Sequence, residues 1–130
     1  MTKQPQFPVL FLSINDWNSD ETETMVLDNG NLYGTDEIFK EYYLDDIVAD
    51  SNGDVFKITG REKLASWRKL IPFMAKYRCV FEYQNRQVTF NEVKEYLANG
   101  IALIEDPEYK SIGEDSLNKC HSLKDVFEFF

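Results

Sequence analysis

Histidine, cysteine and long apolar runs are scarce in this 130-residue chain. It holds one histidine, His121, and two cysteines, Cys79 and Cys120. A structural zinc site takes four Cys or His ligands, so these residues do not complete one. The cysteines stand apart, without the CxxC spacing of a metal or redox motif, and read as reduced thiols of a cytoplasmic protein. His121 directly follows Cys120, and adjacent residues rarely present a nucleophile and its base to one substrate. No GxxxxGK[ST], GxGxxG, GxSxG or HExxH motif occurs, which disfavours phosphate-cradling folds and the common hydrolase classes. No apolar run approaches the roughly 20 residues of a membrane span. Residues 1–6 are polar and Val9–Leu12 is too short for the apolar core of a secretory signal, so a soluble, cytoplasmic chain is expected.

Basic residues are also few. Lys and Arg number 14 against 23 Asp and Glu, for a net charge of −9. The imbalance is uneven. Residues 1–60 hold twelve acids and three bases, residues 61–94 three acids and eight bases, and residues 95–130 eight acids and three bases. A chain with this balance repels nucleic acid and anionic membrane and attracts a basic protein. Acidity for solubility alone is the plainer explanation. The basic segment 61–94 is expected to pair with the chain's own acids or to lie on a solvated helix face.

What is abundant is apolar and aromatic. Hydrophobic content of 43% with ten Phe, seven Tyr and two Trp supports a packed core. The length fits one domain over 1–130, with 1–8 a loose tail containing Pro5 and Pro8. Val9–Ile14 reads as a strand buried on both sides. Asn15–Thr24 is an acidic loop containing Trp17. Asn29-Gly30 and Asn52-Gly53 each suggest a two-residue hairpin turn between apolar runs. The second would place Ser51 opposite Asp54, Asp50 opposite Val55, Val48 opposite Lys57 and Ile47 opposite Ile58. Ile47, Ala49, Phe56 and Ile58 would then form a core face, with Asp46, Val48, Asp50, Val55, Lys57 and Thr59 on a solvent face.

Thr35 is a candidate N-cap for a helix over 35–43. Helical spacing of Leu64, Trp67, Leu70 and Ile71 predicts a second helix over 61–71, stopped by Pro72. Residues 78–83 read as a strand, 84–87 as a turn and 88–90 as a short return strand. Thr89 or Asn91 caps a third helix ended at Gly100. Ile101–Ile104 suggests a strand, 105–116 an irregular segment, and Ser122 the cap of a last helix to Phe130. The fold class expected is α+β, a mostly antiparallel sheet built from hairpins with three to four helices packed on it, a parallel βαβ fold being the alternative.

Asp46, Asp50, Asn52 and Asp54 resemble a calcium loop in residue type only. In the EF-hand pattern Gly follows the third oxygen ligand and Glu closes the loop, whereas here Gly53 precedes Asp54 and Thr59 stands where the Glu belongs. Neither a metal, a cofactor nor a catalytic residue is assigned. The candidate partner-binding residues are Asp45, Asp46, Asp50 and Asp54 of the hairpin, Trp17, Asp20 and Glu21 of the acidic loop, and Tyr43. Carboxylates beside aromatics suit fast binding to a basic protein. For Trp17 the alternative is that it folds back onto the core.

With its acid-rich first 60 residues and its Asp-Ser-Asn-Gly-Asp-Val-Phe-Lys-Ile hairpin, the chain resembles in character the small acidic immunity proteins of bacterial toxin systems, including contact-dependent inhibition. No motif singles out one family among them. The resemblance implies a non-catalytic cytoplasmic domain that binds and blocks a basic toxin, often a nuclease. The competing expectation is a small enzyme or ligand-binding domain whose pocket uses Tyr, Asp and His121. Dimerisation through an edge strand is left open.

Overall fold

Unbroken apolar runs such as Val9–Phe11 require cover on both faces of a strand, and the fold supplies it. The structure is a computed structural model that describes residues 3–32, 35–64, 67, 70–71 and 77–130. In chain order it has β1 (Val9–Phe11), a single-turn 3-10 helix (Asp20–Thr24), β2 (Val26–Leu27), β3 (Asn31–Leu32) and α1 (Asp36–Tyr42). Then come β4 (Ile47–Asp50), β5 (Asp54–Lys63), β6 (Tyr77–Gln87), α2 (Phe90–Ala102), α3 (Pro107–Asn118) and α4 (Leu123–Phe129). The strands form one six-stranded sheet in the order β2-β1-β4-β5-β6-β3. Every pairing is antiparallel, so the α+β class holds and the parallel alternative does not. Among the described residues no helix is long and apolar enough to cross a membrane.

Side chains alternate between two cores. Leu10, Ala49 and Val55 face a cluster that includes Trp17, Val93, Leu97, Ile101 and Val126. Val9, Phe11, Val48, Phe56 and Ile58 face a second cluster with Leu32, Phe39, Cys79 and Phe81. α2, the end of α3 and α4 therefore cover one face, and α1 contributes Phe39 to the other.

The β4–β5 turn corrects the expected register. Gly53 N–H donates to Asp50 O at 2.9 Å, which makes Ser51 and Asn52 the central residues of the turn. Gly53 then takes φ 84°, the left-handed region that Gly enters without a Cβ penalty. The loop has three residues, a turn followed by a left-handed Gly, instead of two. Ile47 pairs Lys57, Val48 pairs Phe56 and Ala49 pairs Val55. This one-residue shift relative to the expected register carries Val48, Phe56 and Ile58 to one core and Ala49 and Val55 to the other. Asp50 is turned inward and is 1% exposed.

Asn29-Gly30 makes no hairpin. β2 lies at one edge of the sheet beside β1, and β3 at the other edge beside β6. The Asn29 side chain accepts from Asn31 N–H, and Gly30 O accepts from Cys79 N–H. The pairing of Val26 with Tyr33 that such a turn would make falls on a residue outside the described ones. The helix expected over 61–71 is also corrected at its start. Arg61, Glu62 and Lys63 belong to β5 and pair Cys79, Arg78 and Tyr77. Residues 65–66 and 68–69 lie outside the described residues. Gly60 sits at a shift in the β5–β6 register and does not end the strand.

The helix caps follow from short polar side chains. Thr35, Thr89 and Ser122 each accept a backbone N–H of the first turn, and Thr89 forms a reciprocal capping box with Glu92. β6 runs on to Gln87, so no return strand precedes α2. Gly100 is inside α2, which continues to Ala102, so Ile101 is helical and no strand forms there. The segment expected to be irregular is α3, started by Asp106 as N-cap with Pro107 in its first turn. The amino-terminal residues are tied down too, as detailed below.

Gly100 has a steric reason to be glycine. A methyl group there would overlap the ring of Trp17, which is 7% exposed and lies in the helix-side core. In a Trp67→Phe background, Gly100→Ala is expected to lower unfolding free energy by about 1–3 kcal/mol, the usual cost of overpacking. Urea denaturation measures that loss, and a red shift of the remaining Trp17 fluorescence checks that the ring has left the core.

Candidate functional site

The acidic loop is held in shape by its uncharged residues. Trp17 packs edge-on to Tyr96, with ring centroids 5.6 Å apart. Asn18 Nδ2 donates to Leu103 O at 3.0 Å, and Asn18 Oδ1 accepts from Glu105 N–H at 2.7 Å. Ile14 N–H donates to the Tyr96 hydroxyl oxygen at 3.2 Å. Ser19 caps the 3-10 turn by accepting from Glu21 N–H, and its hydroxyl donates to Asp16 O. With these residues turned inward, Asp16, Asp20, Glu21 and Glu23 face a groove.

The groove has a volume of about 470 Å³. One wall is the 13–24 loop and the other is the end of α1, with Ile38, Glu41, Tyr42 and Tyr43. Phe11 and Asp46 also line it. Six carboxylates therefore surround this space, those of Asp16, Asp20, Glu21, Glu23, Glu41 and Asp46, and among the described residues no Lys, Arg or His lines it with them. Among the described residues the ion pairs join Lys3 to Asp54, Lys40 to Asp36, Lys57 to Asp45 and Arg61 to Asp36. None of these takes a groove carboxylate.

Asp46 is half-buried. Burial pushes its carboxyl up from an ordinary 3.8 to about 6, with the charges of Glu21 and Asp45 acting in the same direction. Ser13 Oγ opposes this by donating to Asp46 Oδ1 at 3.3 Å, while accepting from Ile47 N–H at 3.0 Å. Across the groove the same negative field raises the Tyr42 hydroxyl, Glu41 acting most strongly. Tyr43 is raised chiefly by burial, as it stacks on Phe39 with centroids 6.1 Å apart. The arrangement is suited to accepting positive charge, with two phenol rings beside it for alkyl or guanidinium contact.

The candidate residues divide. Asp46, Asp20, Glu21 and Tyr43 come together in the groove. Asp45 is exposed beside them, at φ 68°, and pairs with Lys57 at 3.6 Å. Trp17 is buried beneath the loop, so its place is structural support. Asp50 and Asp54 correct the expected solvent face. Asp50 Oδ1 accepts from the N–H groups of Asn52 and Asp54, and its Oδ2 accepts from Gln6 N–H, all at 3.0 Å. Asp54 is 3% exposed and bonded to Gln87 and Lys3. Asp50 serves the turn, Asp54 is held by Gln87 and Lys3, and both are buried. The sequence-level choice missed Asp16 and Glu23, though both lie in the same acidic loop, and Glu41. Glu41 approaches the loop only through the packing of α1.

His121 is exposed, does not line the groove, and gives its own N–H to Asp125 Oδ2. Cys79 and Cys120 are buried thiols, and burial pushes Cys79 up to about 12. No protein-family model, curated protein or solved structure matches this chain.

Asp46 carries a stability consequence with a definite sign. Its folded-state value of about 6 lies above the ordinary 3.8, so the native state favours the protonated acid. Ionising it costs stability, a cost that grows from about pH 4 to pH 6 and is complete above that. Asp46→Asn mimics the neutral form. It is expected to stabilise the fold by about 1 kcal/mol near pH 7.5, the shift being discounted for the half-exposed setting. The gain should shrink below about pH 6 and vanish near pH 4 in urea denaturation across that range.

Proposed function

We propose that this chain is a non-catalytic binding protein that receives a cationic side chain of a basic protein partner in the groove. The observation that carries this reading is the set of six carboxylates around a space lined by Tyr42 and Tyr43, none of them in an ion pair among the described residues. A partner's Lys or Arg entering there would find acceptors on both walls and aromatic rings for its alkyl stem or guanidinium plane. The loop is anchored through Trp17 and Asn18 before any partner arrives, so binding has little loop order left to impose. Net charge of −9 adds long-range attraction that speeds encounter with a basic surface.

In kind, this matches an immunity protein that blocks a basic toxin in the cytoplasm, and that is the role we propose. A second reading draws on Asp46 alone. A desolvated carboxyl near the working pH, beside Ser13 and two tyrosines, also fits a pocket for a small amine ligand or a general base. The two readings differ in what occupies the groove.

The test is affinity capture with the product of the neighbouring reading frame, followed by salt titration from about 50 to 300 mM NaCl. A basic partner is expected, with binding that weakens steeply over that range. The double reversal Glu21→Lys/Asp46→Lys should cut affinity by about tenfold or more, while Glu114→Lys on α3 should change it little. A partner held equally well by the double reversal, or indifferent to salt, would remove the groove from the interface.

A further inference from the structure

The amino-terminal segment 3–8 shares no residue with the groove. It lies across the β4–β5 turn as a strap, held by side chains and not by sheet pairing. Gln6 N–H donates to Asp50 Oδ2, and Asn52 Nδ2 donates to Gln6 Oε1 at 2.8 Å. Phe7 meets Phe81 edge-on at 5.7 Å. At its start Lys3 Nζ lies 3.1 Å from Asp54 Oδ2 and 4.6 Å from the centroid of the Tyr83 ring.

The groups around that ammonium belong to the sheet. Asp54 sits opposite Gln87, and Gln87 Nε2 donates to Asp54 Oδ1 at 2.8 Å. Tyr83 sits opposite Phe56, with ring centroids 5.4 Å apart. The carboxylate, amide and ring are thus positioned by β5 and β6, whether or not the strap is present. Asp54 is buried, yet the Lys3 side chain keeps 46% of its surface exposed, so the site opens to solvent. Gln87 first, and Lys3 after it, hold the Asp54 carboxyl below its ordinary value, against the burial that raises it. A preset carboxylate beside a π-face is the chemistry that selects an ammonium group.

We propose that Asp54, Tyr83 and Gln87 form a binding site for a primary ammonium on an alkyl chain, filled in the free molecule by Lys3 and available to a lysine of a protein partner when the strap lifts. Lys3 is a tethered competitor, present at an effective concentration on the order of millimolar. Removing its ammonium vacates the site without touching the sheet. The inference does not depend on the groove, and it stands if no partner enters there.

Two-dimensional amide NMR of Lys3→Ala, titrated with n-butylammonium chloride, tests it. Saturable shifts are expected at the Gln87 side-chain amide and the Asp54 and Tyr83 backbone. The same titration of the unaltered chain should need about fivefold more amine or greater. Lys3→Ala/Asp54→Asn should abolish the saturation, and Lys3→Ala/Tyr83→Leu, which keeps the carboxylate, should weaken it. Shifts that stay linear in folded Lys3→Ala, or that survive unchanged in the Asp54→Asn variant, overturn the site. The blocked tripeptide acetyl-Gly-Lys-Gly-amide is the second probe. Its saturable binding supports a protein lysine, and binding of n-butylammonium without it overturns the partner-lysine assignment in favour of a free amine.

Discussion

The left-handed conformation of Gly53 decides which way every residue of the central hairpin faces. Because Gly53 follows the Asp50–Gly53 turn at φ 84°, the loop gains one residue over the tightest hairpin. A one-residue change in a strand pair transfers each side chain to the opposite face. Val48, Phe56 and Ile58 thereby fill one core and Ala49 and Val55 the other. The same geometry turns Asp50 inward, where it accepts three backbone N–H groups. A buried carboxylate is tolerated when its acceptor sites are matched by donors in this way. Gly53 also closes the structure at longer range, since its carbonyl accepts from Val88 N–H at the end of β6.

The groove depends on a separate division of labour within one loop. Trp17, Asn18 and Ser19 make inward contacts to α2, to the residues that follow it, and to the loop itself. The carboxylates between and around them line the groove, Glu21 and Asp16 also accepting the backbone N–H groups of Asn15 and Asn18. Collecting like charges in this way raises the electrostatic energy of the free molecule, and at Asp46 the charge of Glu21 adds to the larger upward push of burial. That energy is released on contact with positive charge. Such unfavourable crowding is typical of sites whose chemistry is recognition or proton transfer, and less typical of surfaces evolved for solubility alone.

Local rules made part of this legible in the sequence. Thr35, Thr89 and Ser122 start helices because a short hydroxyl can satisfy a first-turn N–H, a property that needs no knowledge of the fold. Val9–Phe11 declared its two-sided burial by lacking polar alternation. Asp106-Pro107 carries an equally local helix start, masked by the polar residues after it. The long-range features were of another kind. Asn29-Gly30 looks like a tight turn, yet β2 and β3 part to opposite edges of the sheet, which only tertiary pairing decides. Leu64, Trp67, Leu70 and Ile71 are spaced as in a helix, while pairing with β6 keeps the preceding Arg61–Lys63 extended. For the groove, acid content pointed to the loop that forms one of its walls. The groove itself needed α1 to bring Glu41 and Tyr42 against it, and no periodicity reports that approach.

Trp17 joins the groove to the helical layer in a way that works in both directions. Its ring rests on the one position of α2 without a side chain, and Tyr96 of the same helix holds both that ring and the backbone of Ile14. The acidic wall and α2 therefore share their packing. Free energy gained by one is felt by the other, as reciprocity between coupled elements requires. An occupant of the groove would slow the opening of α2, and a loosened α2 would soften the grip on any occupant. α2 is in this sense coupled to the groove wall, although none of its residues lines the groove.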